Sequence, residues 1–293
     1  MQYTNPKIPE GINTSREHPL KEFIILTVGV LGGIAAILIV LALLADKLAH
    51  YIPFSVENNI PYNEIADEIT DKPINQYLNK LGDRVVTAAD LPEGMTIKIH
   101  YVDSDIVNAF ATLGGHVVMF RGLLEKIPNE NALAMVLAHE VAHIKYRHPI
   151  RSLGRGAAIA LALSLFSTSG SGNALNGVIT QTGTVTVLKF SRDHEREADR
   201  EGLRIVKKMY GHVNGAEDLF YVLNKENGDR QGYEFFSSHP LTEKRIHRVE
   251  QIKNETLATD KKKTPLPENY MAWLKAAQNM DKVIKRKTGG GSF

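Results

Sequence analysis

The feature that most constrains this chain is a run of 23 residues, Phe23 to Ala45, that contains no charged side chain. A helix needs about 20 apolar residues to cross the hydrocarbon core of a bilayer, so this run is long enough to span one. A cleaved signal peptide is the competing interpretation, but its apolar region is usually only about 7–15 residues long. We therefore predict one transmembrane helix at residues 23–45, preceded by an N-terminal tail at residues 1–22.

The charges beside this run predict the direction in which the chain crosses the membrane. The tail carries Lys7, Arg16 and Lys21, whereas the first 15 residues after the run carry only Lys47. Because lysine and arginine are enriched in cytoplasmic segments, we expect the tail in the cytoplasm and everything after Asp46 on the other side. The expected location is therefore a bacterial inner membrane, crossed once, with the main domain on the periplasmic side.

Composition limits the chemistry of the remaining residues. Hydrophobic residues make up 43% of the chain and charged residues 23%, as is usual for a packed globular protein. The formal net charge of +2 comes from 35 basic and 33 acidic side chains and gives no reason to expect a nucleic-acid partner. The chain has no cysteine, which excludes a thiol nucleophile, cysteine-ligated zinc and disulfides. The oligomeric state is left open.

Hydrophobic patterning divides the rest of the chain into strands, helices and loops. Met95 to Val102 alternates as a half-buried strand does, and Gly115 to Phe120 is a second strand candidate. Leu153 to Phe166 is apolar over 14 residues, too short to span a bilayer, and could be core, a lid or a hairpin at the membrane surface. The other predicted segments are a helix at Tyr62 to Leu81 interrupted near Pro73, a loop at Ser167 to Gly172, and an ambiguous strand or helix at Val178 to Phe190.

Two longer helices have clear start and stop signals. Asn129 to His148 is predicted to be a helix that Asn129 caps and Pro149 stops. Ser191 to Tyr210 is predicted to be a second helix, which ends before Gly211 because glycine readily adopts the left-handed conformation found after a helix. These two helices carry the residues that could bind a metal or take part in a reaction.

The first of these helices contains the arrangement His-Glu-x-x-His at residues 139–143. Residues four apart share one face of a helix, so the His139 and His143 rings can reach one ion while Glu140 turns toward its open side. Both rings fall on the apolar stripe of the helix, and a buried imidazole needs a polar partner. For this motif alone, a chance match with two core histidines is the alternative.

Carboxylates on the second helix argue against that alternative. Glu195 and Asp199 are also four residues apart, and they align with the apolar positions of their helix. Two like charges that face a core are costly unless a cation or hydrogen-bond donors meet them. Two histidines and one carboxylate, with a fourth position open, form a ligand set of catalytic zinc sites. We predict one zinc ion per chain on His139, His143 and Glu195, with Asp199 accepting a second ring N–H.

The remaining histidines are assigned from their context. His239 lies in the sequence Ser-Ser-His-Pro, where the following proline restrains its backbone. His148 closes its helix, where a cation is favoured, so a capping role is sufficient to explain it. A surface position is predicted for His100, His116, His212 and His247, and a solvated charged face for His194, Arg196, Glu197 and Arg200.

Three motifs together resemble a known family. HEVAH at residues 139–143, SRDHEREAD at 191–199 and SSHP at 237–240 look like the forty-eighth metallopeptidase family, gluzincins that include the HtpX, BepA, Oma-type and CAAX prenyl proteases. The segment from Asn108 to Leu124 is similar to the stretch that precedes the family's His-Glu-x-x-His motif. The resemblance covers roughly residues 62–250. The chain departs from HtpX in having one membrane span, and from the lipoprotein members in lacking cysteine.

The resemblance implies a fold and roles for individual residues. The expected fold is α+β and zincin-like, a mostly helical metallopeptidase domain with a small sheet at residues 46–250. A basic C-terminal helix and flexible tail are expected at residues 251–293. His139, His143 and Glu195 are implied as zinc ligands, Glu140 as the catalytic base, Asp199 in the outer shell, and His239 and Arg245 near the active site.

Zincins generally present an edge strand to the substrate, and Gly115 to Phe120 is predicted to be that strand. The backbone groups of Gly115, His116, Val117 and Val118 would then pair with an extended peptide whatever its side chains. The alternative is an interior strand that has no free edge. Because folded proteins have already paired their backbone groups, binding of this kind selects unfolded segments.

These inferences predict a membrane-anchored zinc endopeptidase that hydrolyses misfolded or membrane-proximal proteins as part of protein quality control. Its expected partners are unfolded or membrane-associated protein substrates and the lipid bilayer. The alternative is a non-catalytic, membrane-tethered chaperone or assembly factor that keeps a structural zinc site. Two roles are open for His239: it could stabilise the oxyanion of the reaction, or it could occupy the fourth zinc position in a resting state.

Overall fold

A computed structural model of the chain describes residues 19–49, 51–58, 73–154, 156, 190–226, 239, 243–255 and 261–287. Several predicted features lie wholly or largely outside these residues. They are the first half of the helix predicted at Tyr62 to Leu81, most of the apolar segment Leu153 to Phe166, the loop Ser167 to Gly172, the ambiguous segment Val178 to Phe190, and the residues that flank His239.

The N-terminal helix α1 runs from Pro19 to Ala49 and contains the predicted span at residues 23–45. Within the described residues it is the one helix long and apolar enough to cross a membrane, judged by length and composition. None of its span Pro19–Leu41 is buried against the rest of the protein. A helix that is apolar all round and whose span is not buried against the described residues is typical of a segment that a bilayer surrounds.

The other described helices follow α1 in chain order. They are α2 (Phe54–Asn58), α3 (Pro73–Ala89), α4 (Arg121–Leu124), α5 (Glu130–Lys145), α6 (Arg192–Tyr210), α7 (Asp218–Glu226), α8 (Glu243–Glu255) and α9 (Tyr270–Lys287). Residues 62–72 of the helix predicted at Tyr62 to Leu81 lie outside the described residues, and from Pro73 the chain is helical as far as Ala89, past the predicted end at Leu81.

The predicted cap at Asn129 and the predicted end before Gly211 are confirmed, and Ser191 is a further cap that the sequence analysis did not assign. The Asn129 side chain accepts a hydrogen bond from the Ala132 N–H at the start of α5. At the start of α6, the Ser191 hydroxyl accepts one from the His194 N–H. Gly211 follows α6 with a φ of 73°, the left-handed conformation expected after a helix.

The predicted end of α5 is wrong. The helix ends at Lys145 rather than at His148, and Arg147 takes a φ of 59°, which reverses the chain direction. Pro149 does not stop the helix but lies inside a new helical segment at residues 148–154. The Arg147 side chain donates to the Glu57 carboxylate at 2.5 Å and to the Ile52 carbonyl at 2.8 Å, which holds the turn against the segment after α1.

A three-stranded mixed sheet contains β1 (Lys98–Val102), β2 (Ala109–Ala111) and β3 (His116–Phe120). The strand order is β1–β3–β2, with β3 parallel to β1 and antiparallel to β2. The sheet and the surrounding helices confirm the predicted α+β class, a mostly helical domain with a small sheet.

The prediction that Gly115 to Phe120 forms an edge strand is wrong. Residues 116–120 form β3, which pairs with a neighbour on both sides, so its backbone groups are not open to a peptide. Gly115 belongs to a 3₁₀ turn at Leu113–Gly115 and has a φ of 80°. A Cβ at this glycine would lie 1.9 Å from the Thr96 carbonyl oxygen, so the turn has no space for a larger residue. The interior-strand alternative holds, and among the described strands β1 and β2 form the edges of the sheet.

The zinc-motif helix α5 lies at the centre of the domain, in contact with α3, α6, α7 and β2. Every residue from Glu130 to Ile144 is buried, so α5 is surrounded on all sides. The core continues beyond residue 250, because the α9 side chains of Tyr270, Leu274 and Ala277 are buried in the same apolar cluster. The motif therefore sits on a helix that its neighbours enclose on all sides.

Candidate metal centre

The residues of the His-Glu-x-x-His motif form one buried face of α5. His139, Glu140 and His143 are 2%, 0% and 0% exposed. The Nε2 atoms of the two histidines approach each other to 3.1 Å. The helical spacing thus converges the two rings as predicted, in a part of the protein from which water is largely excluded.

Helix α6 brings two carboxylates to the same place. Glu195 and Asp199 are buried at 2% and 1% exposure, although several other charged residues of this helix face solvent. Gly202, one turn after Asp199, lets α6 approach α5 closely: a Cβ there would lie 2.9 Å from the end of the Met135 side chain and 3.4 Å from the His139 nitrogen. The close contact of the two helices allows short carboxylates to reach the histidines.

Four side chains converge on one point. One potential ligand atom from each of His139, His143, Glu195 and His239 lies within 4.8 Å of the other three. Each histidine Nε2 of α5 is 3.5 Å from a Glu195 oxygen, and His239 Nδ1 is 3.0 Å from Glu195 Oε1. His239 is fully buried and lies 3.3 Å from His139 Nε2. The structure therefore brings the three predicted ligands together and places His239 beside them.

An outer layer of charge holds these residues. Asp199 Oδ1 is 3.1 Å from His139 Nδ1, which makes Asp199 the acceptor of that ring N–H as predicted from its spacing. Arg245 of α8 donates two hydrogen bonds to Asp199 and places its third nitrogen 2.7 Å from Glu195 Oε2. Arg245 is therefore next to the centre, and it touches the carboxylates rather than the histidines.

The buried carboxylates of the cluster shift the pKa values of its histidines and favour a positive charge at this site. Burial on its own would lower the pKa of His139, but the hydrogen bonds that its ring donates to Asp199 and Glu195 outweigh burial and raise that pKa to about 9. Burial and the neighbouring His139 ring lower the pKa of His143 well below its usual value. Burial would raise the pKa of Glu195, yet His239, His139 and Arg245 hold it well below its usual value. Glu195 and Asp199 are therefore ionised, and their negative charge favours a cation between the histidine rings.

The donor set fits a divalent cation. Because Asp199 accepts from His139 Nδ1, His139 Nε2 is the ring nitrogen that a cation could take in place of a proton, and it faces His143 Nε2 across 3.1 Å. Two imidazole nitrogens this close need a proton or a cation between them. Both oxygens of the buried Glu140 carboxylate also lack a hydrogen-bond partner among the described residues. A buried carboxylate without a partner is costly, and a cation or a bound water would satisfy it.

Several residues lie elsewhere than the sequence suggested. His116 and His212 were predicted at the surface but are buried, and His116 Nδ1 lies 2.8 Å from His100 Nε2 across the β1–β3 pair. His194 was assigned to a solvated face but is 2% exposed, whereas Arg196, Glu197 and Arg200 do face solvent. The prediction for His247 is confirmed, since its side chain is 77% exposed.

Sequence reasoning missed two residues that the structure brings into view. His148 is fully buried and contacts His143, which its assignment as a helix cap did not anticipate. Asn108 precedes β2 and is fully buried, yet neither its amide oxygen nor its amide nitrogen has a hydrogen-bond partner in the described part of the chain. No periodic pattern marks either residue. The only available signal was the proximity of each to a motif already singled out.

Comparison with known proteins identifies one peptidase family and several of its members as similar to this chain. The model of peptidase family M48 matches residues 73–253 of this chain. The chain is 30% identical over 195 residues to the beta-barrel assembly-enhancing protease of Escherichia coli, an overlap of 62% of this chain and 39% of that protein. It is 29% identical over 209 residues to the mitochondrial metalloendopeptidase OMA1 of Schizosaccharomyces pombe, covering 67% and 61%.

A third relative adds a shorter match. The chain is 32% identical over 157 residues to the metalloprotease YcaL of Escherichia coli, which covers 52% of this chain and 60% of that protein. The chain thus spans between 39% and 61% of the length of these relatives. The family match contains both helices of the metal centre and the helix that carries Arg245. The resemblance drawn from the motifs is therefore confirmed, and this chain belongs to peptidase family M48.

Proposed function

We propose that this chain is a membrane-anchored zinc endopeptidase that cleaves unfolded or membrane-proximal segments of other proteins. The observation that carries the proposal is the convergence of His139, His143, Glu195 and His239 within 4.8 Å, beside the unsatisfied carboxylate of Glu140. Membership in family M48 supports a metallopeptidase, and the names of the relatives include two metalloproteases of this type.

Zinc is the metal that the donor set favours. His139 and His143 offer neutral ring nitrogens and Glu195 offers a carboxylate, the histidine and glutamate set of catalytic zinc sites. Calcium and magnesium prefer all-oxygen ligands, so a site with two or three imidazoles disfavours both. The outer contacts of Asp199 and Arg245 with these ligands are of the kind that fix ring orientation in zinc sites.

Glu140 is the group suited to proton transfer. When bound, zinc would polarise the scissile carbonyl and make a neighbouring water more acidic. The Glu140 carboxylate would take the proton of the attacking water on one oxygen and deliver it to the nitrogen of the leaving amine. Glu140 is completely buried and directed to the same site as the ligand histidines, so the transfer occurs away from bulk solvent.

His239 has two possible roles that predict opposite results. Its Nε2 atom is 3.5 Å from Glu140 Oε1, which suits a donor that stabilises the oxyanion of the reaction. Its Nδ1 atom lies among the ligand atoms of the cluster, which suits a fourth ligand in a resting state. His239→Ala lowers turnover in the first case and raises it in the second, so steady-state kinetics of this variant decide between them.

The substrate is expected to lie along the edge of β2. In the antiparallel β2–β3 pair, Phe120 donates to the Asn108 carbonyl and Thr112 donates to the His116 carbonyl. Because hydrogen bonding alternates along such a pair, the N–H and C=O groups of Ala109 and Ala111 point away from β3. No strand of the described residues pairs with that edge. Asn108, Ala109 and Ala111 are 0–1% exposed, so an extended peptide could pair there, and the Asn108 amide could bond its backbone, only after the groups that cover this edge have moved aside.

Backbone pairing and the anchor together suggest the substrate class. Recognition through main-chain groups selects segments whose own hydrogen bonds are not made, as in misfolded proteins. Helix α1 would tether the domain to a bilayer, which brings membrane proteins and nearby chains within reach. The flanking charges favour a cytoplasmic N-terminus, so the domain would act on the far side of the membrane.

The experiment that tests the proposal uses the full chain purified in detergent. We expect it to bind about one zinc per chain and to cleave unfolded casein, with cleavage abolished by a chelator and restored by added zinc. Glu140→Gln should keep the zinc but lower turnover by about 10²–10⁴-fold, because the proton acceptor alone is removed. Glu243→Gln, which alters an exposed carboxylate of α8, is the matched control.

Two results would contradict the proposal. If the zinc-loaded chain does not cleave any unfolded protein, the alternative of a chaperone or assembly factor with a structural metal site is favoured. If Glu140→Gln loses its metal but still cleaves, the assigned role of Glu140 is wrong.

A further inference from the structure

The reversal of the chain after α5 brings a further histidine, His148, into contact with the candidate metal centre. Arg147 has a φ of 59°, and this turn places the His148 ring against the ring of His143. The Nδ1 atoms of the two rings are 2.9 Å apart, within hydrogen-bond distance, and both side chains are completely buried. His148 is thus in direct contact with the side of His143 that faces away from the cluster.

A carboxylate of α6 contacts the other nitrogen of His148. Glu197 Oε2 lies 3.0 Å from His148 Nε2, and the Glu197 side chain is 46% exposed. An ionised carboxylate can only accept hydrogen bonds, so the shared proton belongs to His148 Nε2. In a neutral ring the opposite nitrogen then has a lone pair, which makes His148 Nδ1 an acceptor.

This assignment determines the protonation of the metal-facing histidine. With His148 neutral and its Nδ1 an acceptor, the proton between the two rings resides on His143 Nδ1. The Nε2 atom of His143 is consequently left with its lone pair, directed at the cluster where His139 Nε2 lies 3.1 Å away. A neutral imidazole presents a metal with one such nitrogen, and the hydrogen bond at the other nitrogen decides which one it is.

The two histidines of α5 therefore have matching arrangements with different partners. His139 donates from Nδ1 to Asp199 directly. His143 donates from Nδ1 to His148, which in turn donates to Glu197. Each ring is oriented by a carboxylate of α6, but for His143 a second histidine fills the gap between them.

Aromatic packing restricts the movement of both rings. The His194 ring stacks on His148 with the centroids 4.0 Å apart and the planes 8° from parallel. Phe190 stacks on His143 at 3.9 Å and 20°. Because flat contacts on these faces prevent rotation of the rings, the hydrogen-bonded geometry is the one that the site retains.

We propose that His148, held by Glu197, is a positioning residue of the metal site that fixes the tautomer and orientation of His143. The proposal rests on the proposed function, since it requires that the cluster binds zinc. A residue in this place could instead fill space alone, and the two roles differ in whether an acceptor atom is needed at the position of Nδ1.

The test compares variants of the full chain in zinc affinity, measured by competition with a chelator, and in the visible spectrum of the cobalt-substituted protein. His148→Leu removes the acceptor and keeps the bulk, and should weaken zinc binding by about 10–100-fold and shift the cobalt spectrum. His148→Asn places an oxygen near the position of Nδ1 and should recover most of the affinity. Glu197→Ala should show an intermediate loss.

Two controls separate these effects from general damage. His212→Leu removes another buried histidine, and Arg200→Ala changes another exposed position of α6. Both should keep the affinity and the cobalt spectrum of the original chain. If His148→Leu does not fold, the affinities of His148→Asn and Glu197→Ala relative to these controls decide the proposal.

The possible failures can be told apart. If the original chain binds zinc and His148→Leu binds it with equal affinity and an unchanged cobalt spectrum, the positioning role is overturned while the proposed function stands. If His148→Asn is as weak as His148→Leu, the role is one of packing and the proposal is overturned. If the original chain binds neither metal, the positioning role and the proposed function fail together.

Discussion

Arg245 binds Asp199 through two parallel hydrogen bonds, with Nε 2.8 Å from Oδ2 and Nη2 2.7 Å from Oδ1. Both side chains are buried, so the pair must offset the cost of removing two charges from water. It does so through the fork geometry of the guanidinium and through a third contact, from Nη1 to Glu195 at 2.7 Å. One residue of α8 thereby fixes both carboxylates that α6 contributes to the site.

Arg245→Lys is predicted to weaken zinc binding by about 10–100-fold, the usual effect of removing an outer contact of a zinc ligand. Lysine keeps the charge but cannot bond both Asp199 oxygens and Glu195 at once, because it has no planar fork. Arg248→Lys, one turn further along the same helix, is the control and should bind zinc normally. Zinc titration against a competing chelator measures both. Equal affinities for the two variants would mean that the charge of Arg245, and not its geometry, matters.

The local pattern of the chain predicted which side chains of α5 and α6 converge, because these residues are related by helical periodicity. His139 and His143 lie one turn apart on α5, and Glu195 and Asp199 lie one turn apart on α6. A spacing of four places such residues on one face whatever the rest of the fold does. The caps at Asn129 and Gly211 were predictable for the same reason.

The features that were missed depend on contacts between distant residues or on a single backbone angle. Strand pairing joins segments that are far apart in the chain, so the sequence of Gly115 to Phe120 could not tell a central strand from an edge. His148 reaches His143 because Arg147 takes a positive φ, and arginine gives no signal for that conformation. The contacts of Arg147 with Glu57 and Ile52 join residues about ninety positions apart.

Gly115→Ala is predicted to destabilise the domain, because Gly115 lies in a turn that has no space for a side chain. The new Cβ would lie 1.9 Å from the Thr96 carbonyl oxygen, at a φ of 80°. Gly94→Ala is the matched control, because Gly94 has the same φ of 80° but open space around it. The control should cost about 1–2 kcal/mol, the left-handed penalty alone.

Thermal unfolding of the two glycine variants measures the difference. About 1 kcal/mol corresponds to about 2–4 °C in Tm for a domain of this size, so Gly115→Ala should fall clearly below Gly94→Ala. If the two variants have the same Tm and Gly115→Ala alone loses cleavage, a role of Gly115 in substrate binding would be restored.

Glu130 is predicted to make the stability of the domain depend on pH. Its carboxylate accepts hydrogen bonds from Tyr77, Arg84 and Tyr210 at 2.8–2.9 Å. Burial would raise the pKa of Glu130, but these three donors outweigh burial and lower that pKa below its usual value. A depressed pKa in the folded state contributes stability above the unfolded value of about 4.3, and this contribution is lost as the pH falls through the folded pKa.

Glu130→Gln tests this dependence. Near pH 7 the variant should have a lower Tm than the original chain, because each hydrogen bond to a charged group contributes about 1.5–3 kcal/mol. The difference in Tm should shrink as the pH falls from about 4.3 towards the lowered folded-state pKa of Glu130, below which the carboxylate of the original chain is no longer charged. Glu243→Gln, at an exposed position, should show no such trend. A constant difference across the pH range would contradict the assigned pKa shift.

The last prediction concerns the edge at which the substrate binds. Ala111→Pro removes an N–H that points away from β3, so the pairing of β2 with β3 should survive while a peptide on the open edge loses one donor. A backbone hydrogen bond contributes about 0.5–1.5 kcal/mol, so kcat/KM for an unfolded peptide should fall by about 2–10-fold at unchanged zinc content.

Val118→Pro is the contrasting variant. Val118 is opposite Phe110 in the centre of the sheet, where proline removes a hydrogen bond between strands, and this variant should unfold or lose much of its thermal stability. If Ala111→Pro keeps its fold, its zinc and its full cleavage rate, the peptide does not pair with β2. The preference for unfolded proteins would then need a different physical basis, such as a flexible binding surface or recognition of particular substrate side chains.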